Sequence, residues 1–381
     1  MSSSTEIDIY YGPREWFNRQ LPTMRNDNFL ELVLERDQAP QHHLHHVPGQ
    51  PAPEPPEPRR RPKRVVIESN DFASINEHAV TNFAGLIRAI SPKRLFVQNP
   101  PVAVHEQLTR VFGLSQSATK RYVYPSVSTS TLLDIDAQFD ARVIGQERVK
   151  QRLLAALYPL TSPGRSKPVV LMLFGPSGVG KTETAQFVNG LLGGELMRKQ
   201  FSMFQNDRFA SYLFGGRHNE ASFAHDLLNR DSGVILIDEF DKANPIFHSA
   251  FYQLFDEGVF VDRNYEVKLG PALIICTSNY ESEDHIRQTL GDALFSRFDA
   301  FIRYSDLKPA HIVDIIDRLI DQRLASLTEA ERSRLEPELL RSNLHPLAKN
   351  TRNVRRLGKL VEEVVSTYLV RSLIAEGTIN D

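Results

Sequence analysis

The stretch LMLFGPSGVGKTETA, residues 171–185, restricts the architecture of this chain more than any other. An apolar run, PVVLMLF (168–174), leads into a glycine-rich turn, and a segment of helical character, TETAQFVNGLL, follows it. Gly175, Pro176, Ser177, Gly178, Val179, Gly180, Lys181 and Thr182 fit the spacing G-x-x-x-x-G-K-[ST]. A strand, a tight glycine loop and a helix in that order form one βα unit of a parallel sheet. Without side chains in the way, the backbone N–H groups of such a loop curl around an anion, and the helix N-terminus adds its positive end. The pattern therefore predicts a phosphate cradle. Lys181 is expected to reach the β and γ phosphates of ATP, and the Thr182 hydroxyl to ligate Mg2+.

Two further apolar runs, GVILIDEF (233–240) and ALIICTS (272–278), alternate with helical segments. Continuous apolar runs between helices read as parallel strands buried on both faces. Asp238 ends one of them and is expected to hold the Mg2+ shell, with Glu239 polarising an attacking water. An Asp-Glu pair placed this way favours hydrolysis over transfer to a small molecule. After about residue 306 only helical patterns remain. The expected fold class is α/β, a P-loop core with a parallel sheet flanked by helices, followed by a small α-helical lid. The boundaries fall at 131–305 for the nucleotide-binding part and 306–381 for the lid. No internal repeat is visible.

At this point the sequence resembles the AAA+ ATPases, most closely their Clp/HSP100 branch, over residues about 131–381. RVIGQERVKQRLLAAL (142–157) is similar to the box that precedes the P-loop in that family, which implies that Val143 and Ile144 touch the adenine. IICTSN is similar to the strand presenting sensor 1, which implies that Asn279 lies beside the γ-phosphate. ALFSRFDAFIRY is similar to the segment carrying the arginine finger, so Arg297 would act on the nucleotide of a neighbouring subunit. NTRNVRRLGKLVEE resembles the start of the sensor 2 helix, which implies Arg352 in that role, with Arg355 and Arg356 as alternatives. The resemblance implies a homo-oligomer of six subunits in a ring.

It also implies a loop that grips polypeptide. In SYLFGGR (211–217), Tyr212 and Phe214 stand near the place of the family's aromatic-glycine loop, with Phe-Gly-Gly-Arg where Tyr-Val-Gly-Tyr would be. The alternative is that both aromatics pack under a surface turn. DEGVFVDRNYEVKLG (256–270) resembles a second loop, with Arg263 and Tyr265 near its tip, and a plain hairpin fits those residues equally. Only one AAA+ module is present, and no loop for docking a ClpP-type peptidase is recognised.

The first 130 residues lie outside the resemblance. Residues 39–64 hold eight prolines in 26 positions and read as an extended, solvated linker between a short segment (1–38) and an accessory module (65–130). The linker's HHLHH lacks a carboxylate framework for a metal site, and its RRRPKR reads as a solvated basic patch. Net charge is −2, which gives no global attraction to nucleic acid. The single cysteine, Cys276, rules out an internal disulfide and a multi-cysteine zinc site. No apolar run approaches the roughly 20 residues of a membrane span, and no secretory signal is recognised, so a cytoplasmic location is expected. The expected function is an ATP-driven ring that remodels, unfolds or threads protein, with residues 1–130 choosing the substrate or partner. The rival readings are a nucleic-acid motor or loader and an ATP-dependent assembly switch.

Overall fold

The computed structural model describes residues 5–38, 61–203, 208–242, 244–349, 351 and 353–379. Arg352, HHLHH and part of RRRPKR lie outside the described residues. In chain order the strands are β1 (Glu6–Tyr11), β2 (Asp27–Asn28), β3 (Arg64–Ile67), β4 (Arg94–Gln98), β5 (Thr119–Arg121) and β6 (Val169–Phe174). They continue as β7 (Met197–Gln200), β8 (Val234–Asp238), β9 (Val259–Val261), β10 (Glu266–Lys268), β11 (Leu273–Thr277) and β12 (Ala300–Arg303). The chain divides into two compact units. One comprises 1–125, 204–232 and 246–270, and the other 126–203, 233–245 and 271–381.

The second unit holds the P-loop. Its sheet is fully parallel, in the order β12-β6-β11-β8-β7. The three apolar runs become β6, β8 and β11, and every residue of these strands is buried. Each Val, Leu or Ile taken out of water this way contributes about 1.5–3 kcal/mol. The edge strands β7 (MRKQ) and β12 (AFIR) carry no long apolar run, because an edge strand needs less burial. The sequence signal therefore misses them. The helix Thr129–Arg142 opens this unit, capped by a reciprocal pair of bonds between Ser128 and Thr131. The C-terminal helices Pro309–Ala325, Pro337–Leu344 and Val354–Ile379 follow β12. Ile312, Ile316, Leu340, Leu357 and Val361 belong to one apolar core with the sheet residues. The α/β part and the helical lid thus share one unit.

The first unit departs from the expected boundaries. Residues 5–38 contribute strands and core to this unit. The run EIDIYY forms β1, which lies inside a second five-stranded parallel sheet, β2-β3-β4-β1-β5. Ile7 and Ile9 share one core with Val65, Leu95 and Phe83, residues from beyond the linker. The two middle segments 204–232 and 246–270 belong to this unit as well, although the chain pattern assigns them to the nucleotide-binding part. They carry the helices Arg208–Phe214 and Phe223–Asn229 and the antiparallel hairpin β9–β10. Numbered along the chain within each unit, the two sheets have the same strand order, 5-1-4-3-2.

Candidate functional site: a nucleotide pocket

The turn between β6 and the helix Lys181–Leu192 is built as its spacing predicts. Gly175 sits at φ 126, and a Cβ there would lie 2.4 Å from the Tyr304 carbonyl oxygen. Only glycine permits that backbone and that approach. Lys181 opens the helix and is nearly buried, 8 % exposed. Its Nζ donates to the carbonyls of Gly175 (2.6 Å) and Pro176 (2.7 Å) and to Asn279 Oδ1 (3.1 Å). Burial pushes the lysine pKa down to about 8, opposed by Asp241 and Asp238 and assisted by Arg355. The P-loop lysine and Asn279 are therefore in direct contact.

Asp238 and Glu239 stand at the end of β8. Asp238 accepts from the Thr277 hydroxyl and from the guanidinium of Arg198, Nε at 3.1 Å. Glu239 has φ 56, a strained backbone for a non-glycine residue. Its N–H donates to Thr277 Oγ1 (3.0 Å), and its Oε2 accepts from Gln200 Nε2 (3.1 Å). Arg198 and Gln200 alternate along β7, with Gln200 in register with Asp238, so both reach the acidic pair. Sequence reading missed Arg198, Gln200 and Thr277. The available signal was the polar i, i+2 pair on a short strand, and nothing in the sequence showed that this strand neighbours β8.

These groups surround one cavity of about 280 Å³, lined by Ser177, Gly178, Gly180, Lys181, Thr182, Asp238, Glu239, Asn279 and Arg355 among others. A second cavity of about 260 Å³ shares Gly180, Glu183 and Val354 with it and is lined by Val143, Ile144, Val179, Leu307, Ile315 and Leu319. A polar chamber holding Lys181, Arg198 and Arg355 beside its carboxylates, next to one lined largely by apolar side chains with Arg142, Arg318 and Gln322 at it, suits a triphosphate joined to a flat base. The buried hydroxyl of Ser278, which lines the polar cavity, has no hydrogen-bond partner among the described residues, so the chamber has unsatisfied polar capacity there. Among the described residues no cluster of three or more metal-ligating side chains occurs. A metal here would be held by Thr182, Asp238 and phosphate oxygens, an arrangement suited to Mg2+.

The lid closes on the loop. The N–H of Val354 donates to the Gly178 carbonyl (3.2 Å), and a Cβ on Gly178 would collide with Asn353. Of the two described alternatives for sensor 2, Arg355 lines the polar cavity and Arg356 does not. Arg297 does not line it either. It follows the helix Glu283–Phe295, and its guanidinium donates to the Ala293 carbonyl.

The candidate substrate residues lie in the other unit, and they separate. Phe214 ends its helix and is 46 % exposed, with its ring 6.3 Å from that of Phe247. Tyr212 is 7 % exposed, stacks on Phe209 and donates its hydroxyl to Asp226 Oδ2 (2.6 Å). The helix turns Tyr212 inward, as in the alternative in which it packs under a surface turn. Arg263 is exposed at the β9–β10 turn, whereas Tyr265 is buried, and Asp262 Oδ1 ties the turn through the N–H groups of Asn264 and Tyr265.

A parallel 5-1-4-3-2 sheet with a P-loop after its first strand, an acidic pair after its third and an asparagine after its fourth defines a P-loop ATPase domain. Residues 166–341 match the family model for the AAA domain (Cdc48 subfamily). Over 230 residues the chain is 29 % identical to the ATP-dependent Clp protease ATP-binding subunit ClpE of Bacillus subtilis, spanning 51 % of this chain and 33 % of the relative. It is 35 % identical over 168 residues to the AAA+ ATPase ClpV1 of Pseudomonas aeruginosa, spanning 40 % and 18 %. With the chaperone protein ClpB of Chlamydia caviae it shares 32 % over 167 residues, spanning 40 % and 19 %. The chain thus spans a third or less of the length of these relatives. A solved structure of Hsp104 in its closed state, with ATPγS and FITC casein, matches the fold with a TM-score of 0.55 at 17 % identity. That match covers 90 % of this chain and 64 % of that one. Residues 166–341 thus resemble an AAA domain, and the relatives the chain resembles include Clp and ClpB proteins. No described helix is long and apolar enough to cross a membrane.

Proposed function

We propose that this protein hydrolyses ATP with Mg2+ as a hexameric ring in the cytoplasm, and uses the energy to remodel, unfold or thread protein substrates. The observation that carries the reading is the convergence of Lys181, Thr182, Asp238, Glu239 and Asn279 on one cavity beside the apolar Val143–Ile144 chamber. ATP supplies the phosphoryl group when bound, and Mg2+ neutralises part of its charge. Lys181 leaves its carbonyl partners and turns to the β and γ oxygens. Thr182 and Asp238 hold the metal side, which requires Arg198 to loosen its grip on Asp238 Oδ2. Glu239 takes a proton from water once Gln200 releases its carboxylate, and Asn279 orients that water. Arg355 adds positive charge from the lid, the role assigned to Arg352 by the family pattern. Arg297, away from its own cavity, serves the neighbouring subunit. Oriented charge of this kind is the main source of phosphoryl-transfer catalysis.

The proposed substrate is a polypeptide, gripped by exposed Phe214, whose flat side chain presses on a backbone with little sequence preference. The test is the ATPase rate with and without an unfolded model protein, and with and without single-stranded DNA. Stimulation by the unfolded chain, lost in Phe214→Ala with basal hydrolysis kept, supports the reading. Stimulation by DNA alone replaces it with a nucleic-acid motor. No response to either points to an assembly switch.

A further inference from the structure

The N-terminal sheet repeats the strand order of the ATPase sheet, and its strand ends carry related residues. Gly12-Pro13 follows the first strand, as Gly175-Pro176 does. Glu68 follows the third strand, where Asp238 and Glu239 stand in the other sheet. Asn99 follows the fourth, and Asn279 comes shortly after its counterpart. Even one bonding pattern recurs. Asn279 Oδ1 accepts from the Lys181 side chain at the start of the helix after the first strand, and Asn99 Oδ1 accepts from the backbone N–H of Gly12 directly after its first strand (2.9 Å).

The cradle itself is missing. Only Gly12 and Pro13 separate β1 from the helix Arg14–Gln20, against the six residues of the P-loop turn Gly175–Gly180, and no Lys-Thr pair follows. Glu68 is paired with Arg14 (2.7 Å). The strand-end crevice, where parallel α/β sheets bind their ligands, is filled from within the same unit by the helix Phe223–Asn229. Asn229 Oδ1 accepts from Asn99 Nδ2 (3.0 Å) and Gln98 Nε2 (3.4 Å). Ser69 Oγ meets His225 Nε2 at 2.8 Å. Gln98 and Asn99 are fully buried, and Asn99 adopts φ 43, which aims its amide at Gly12 and Asn229.

From this plug the contacts run to Phe214. Asp226, one turn before Asn229, holds Tyr212, two residues from Phe214. Beyond Phe214 the chain is fixed again. The His218 ring bonds the Ile75 carbonyl (2.7 Å). Asn264 Nδ2 bonds the Gly216 carbonyl (3.3 Å), and the Asn264 carbonyl accepts from the N–H of Val102 (2.9 Å). Arg230, next to Asn229, is 4 % exposed under the Tyr124 ring and bonds the Leu227 carbonyl. Opening the plug would strand the buried Gln98, Asn99 and Arg230, while the bonds nearer Phe214 are part-buried.

We infer that the N-terminal module is a nucleotide-free counterpart of the ATPase sheet, whose former ligand crevice is the socket that fixes the Phe214 segment, with Asn229 as the positioning residue. The inference rests on the proposed role of Phe214 only for its functional readout. Three measurements on the full chain test it. A fluorescent ATP analogue is expected to bind at one site per chain and to lose it in Lys181→Ala; a site that survives this substitution overturns the nucleotide-free assignment. Amide exchange across residues 211–218 is expected to rise about tenfold or more in Asn229→Ala/His218→Ala, and to rise in Asn229→Asp as well, which keeps the acceptor for Gln98 and Asn99 but loses the Nδ2 donor to the His225 carbonyl and Ser69 Oγ. Unchanged exchange in the double variant overturns the socket, whatever the substrate proves to be. Protein-stimulated ATPase is expected to fall with the same double variant while the basal rate holds. In Val102→Cys/Asn264→Cys, which also removes the Asn264 bond to the Gly216 carbonyl, stimulation is expected to be the same with the disulfide formed as with it reduced. Stimulation lost on oxidation and recovered on reduction would show a contact that must open, and would overturn the fixed mount. If wild type shows no stimulation, the substrate reading fails, and the binding and exchange measurements still decide the socket.

Discussion

At the scale of single residues the chemistry concentrates on Lys181 and Glu239. Burial holds the lysine pKa near 8. Its charged form, the one that attracts triphosphate, therefore dominates below that pH and is lost above it. Nucleotide affinity is expected to fall as pH rises from 7 to 9, and because bound phosphates favour the ammonium, binding near pH 9 takes up a proton. Calorimetry in buffers of different ionisation enthalpy checks both. Lys181→Ala should weaken nucleotide binding about tenfold or more. Glu239→Gln should keep binding and lower hydrolysis by about 10²–10³-fold, read as trapped ATP; normal turnover would remove Glu239 from the catalytic role. The sequence marked both residues, because motif spacing fixes them. It did not mark Arg198 and Gln200, whose importance depends on which strand lies beside β8.

Elements explain how such residues are held. Strand β7 carries two polar side chains to the acidic pair at the end of β8, each bonded to a different carboxylate. Gln200→Ala is expected to leave nucleotide affinity within about twofold and to change kcat severalfold, since only the Glu239 carboxylate loses a partner. A shift in affinity with constant kcat would place Gln200 in binding instead. The first turn of the helix Val354–Ile379 meets the P-loop at Gly178 and puts Arg355 in the cavity. Arg355→Ala is expected to cost about tenfold or more in kcat while Arg356→Ala costs little; the reverse pattern in steady-state rates would move the lid's catalytic arginine. The helical pattern was legible in the sequence. The face each arginine presents was not, because it depends on how the helix docks.

For the whole molecule, the two units define what can be removed. Strand β1 sits between β4 and β5, so deleting residues 1–38 would strip an interior strand and bare Leu95, Val97 and Phe83. Such a deletion is expected to give an aggregating protein rather than a working ATPase that has lost its partner, a difference that solubility and size-exclusion profiles read directly. A soluble monodisperse truncation with intact basal ATPase would show that the first sheet is dispensable. The sequence by itself determined the P-loop, the three buried strands, the helical lid and the Clp-like resemblance of residues about 131–381, because each is written in local spacing or in a continuous apolar run. Only the tertiary structure decided that EIDIYY is an interior strand, that the N-terminal sheet repeats the ATPase strand order, and that the segment around Phe214 folds with the N-terminal sheet. Those facts depend on which distant strands pair and which crevice a helix fills. Such choices are made by burial and hydrogen bonding between residues a hundred or more positions apart, as with Asn99 and Asn229, and no local pattern records them.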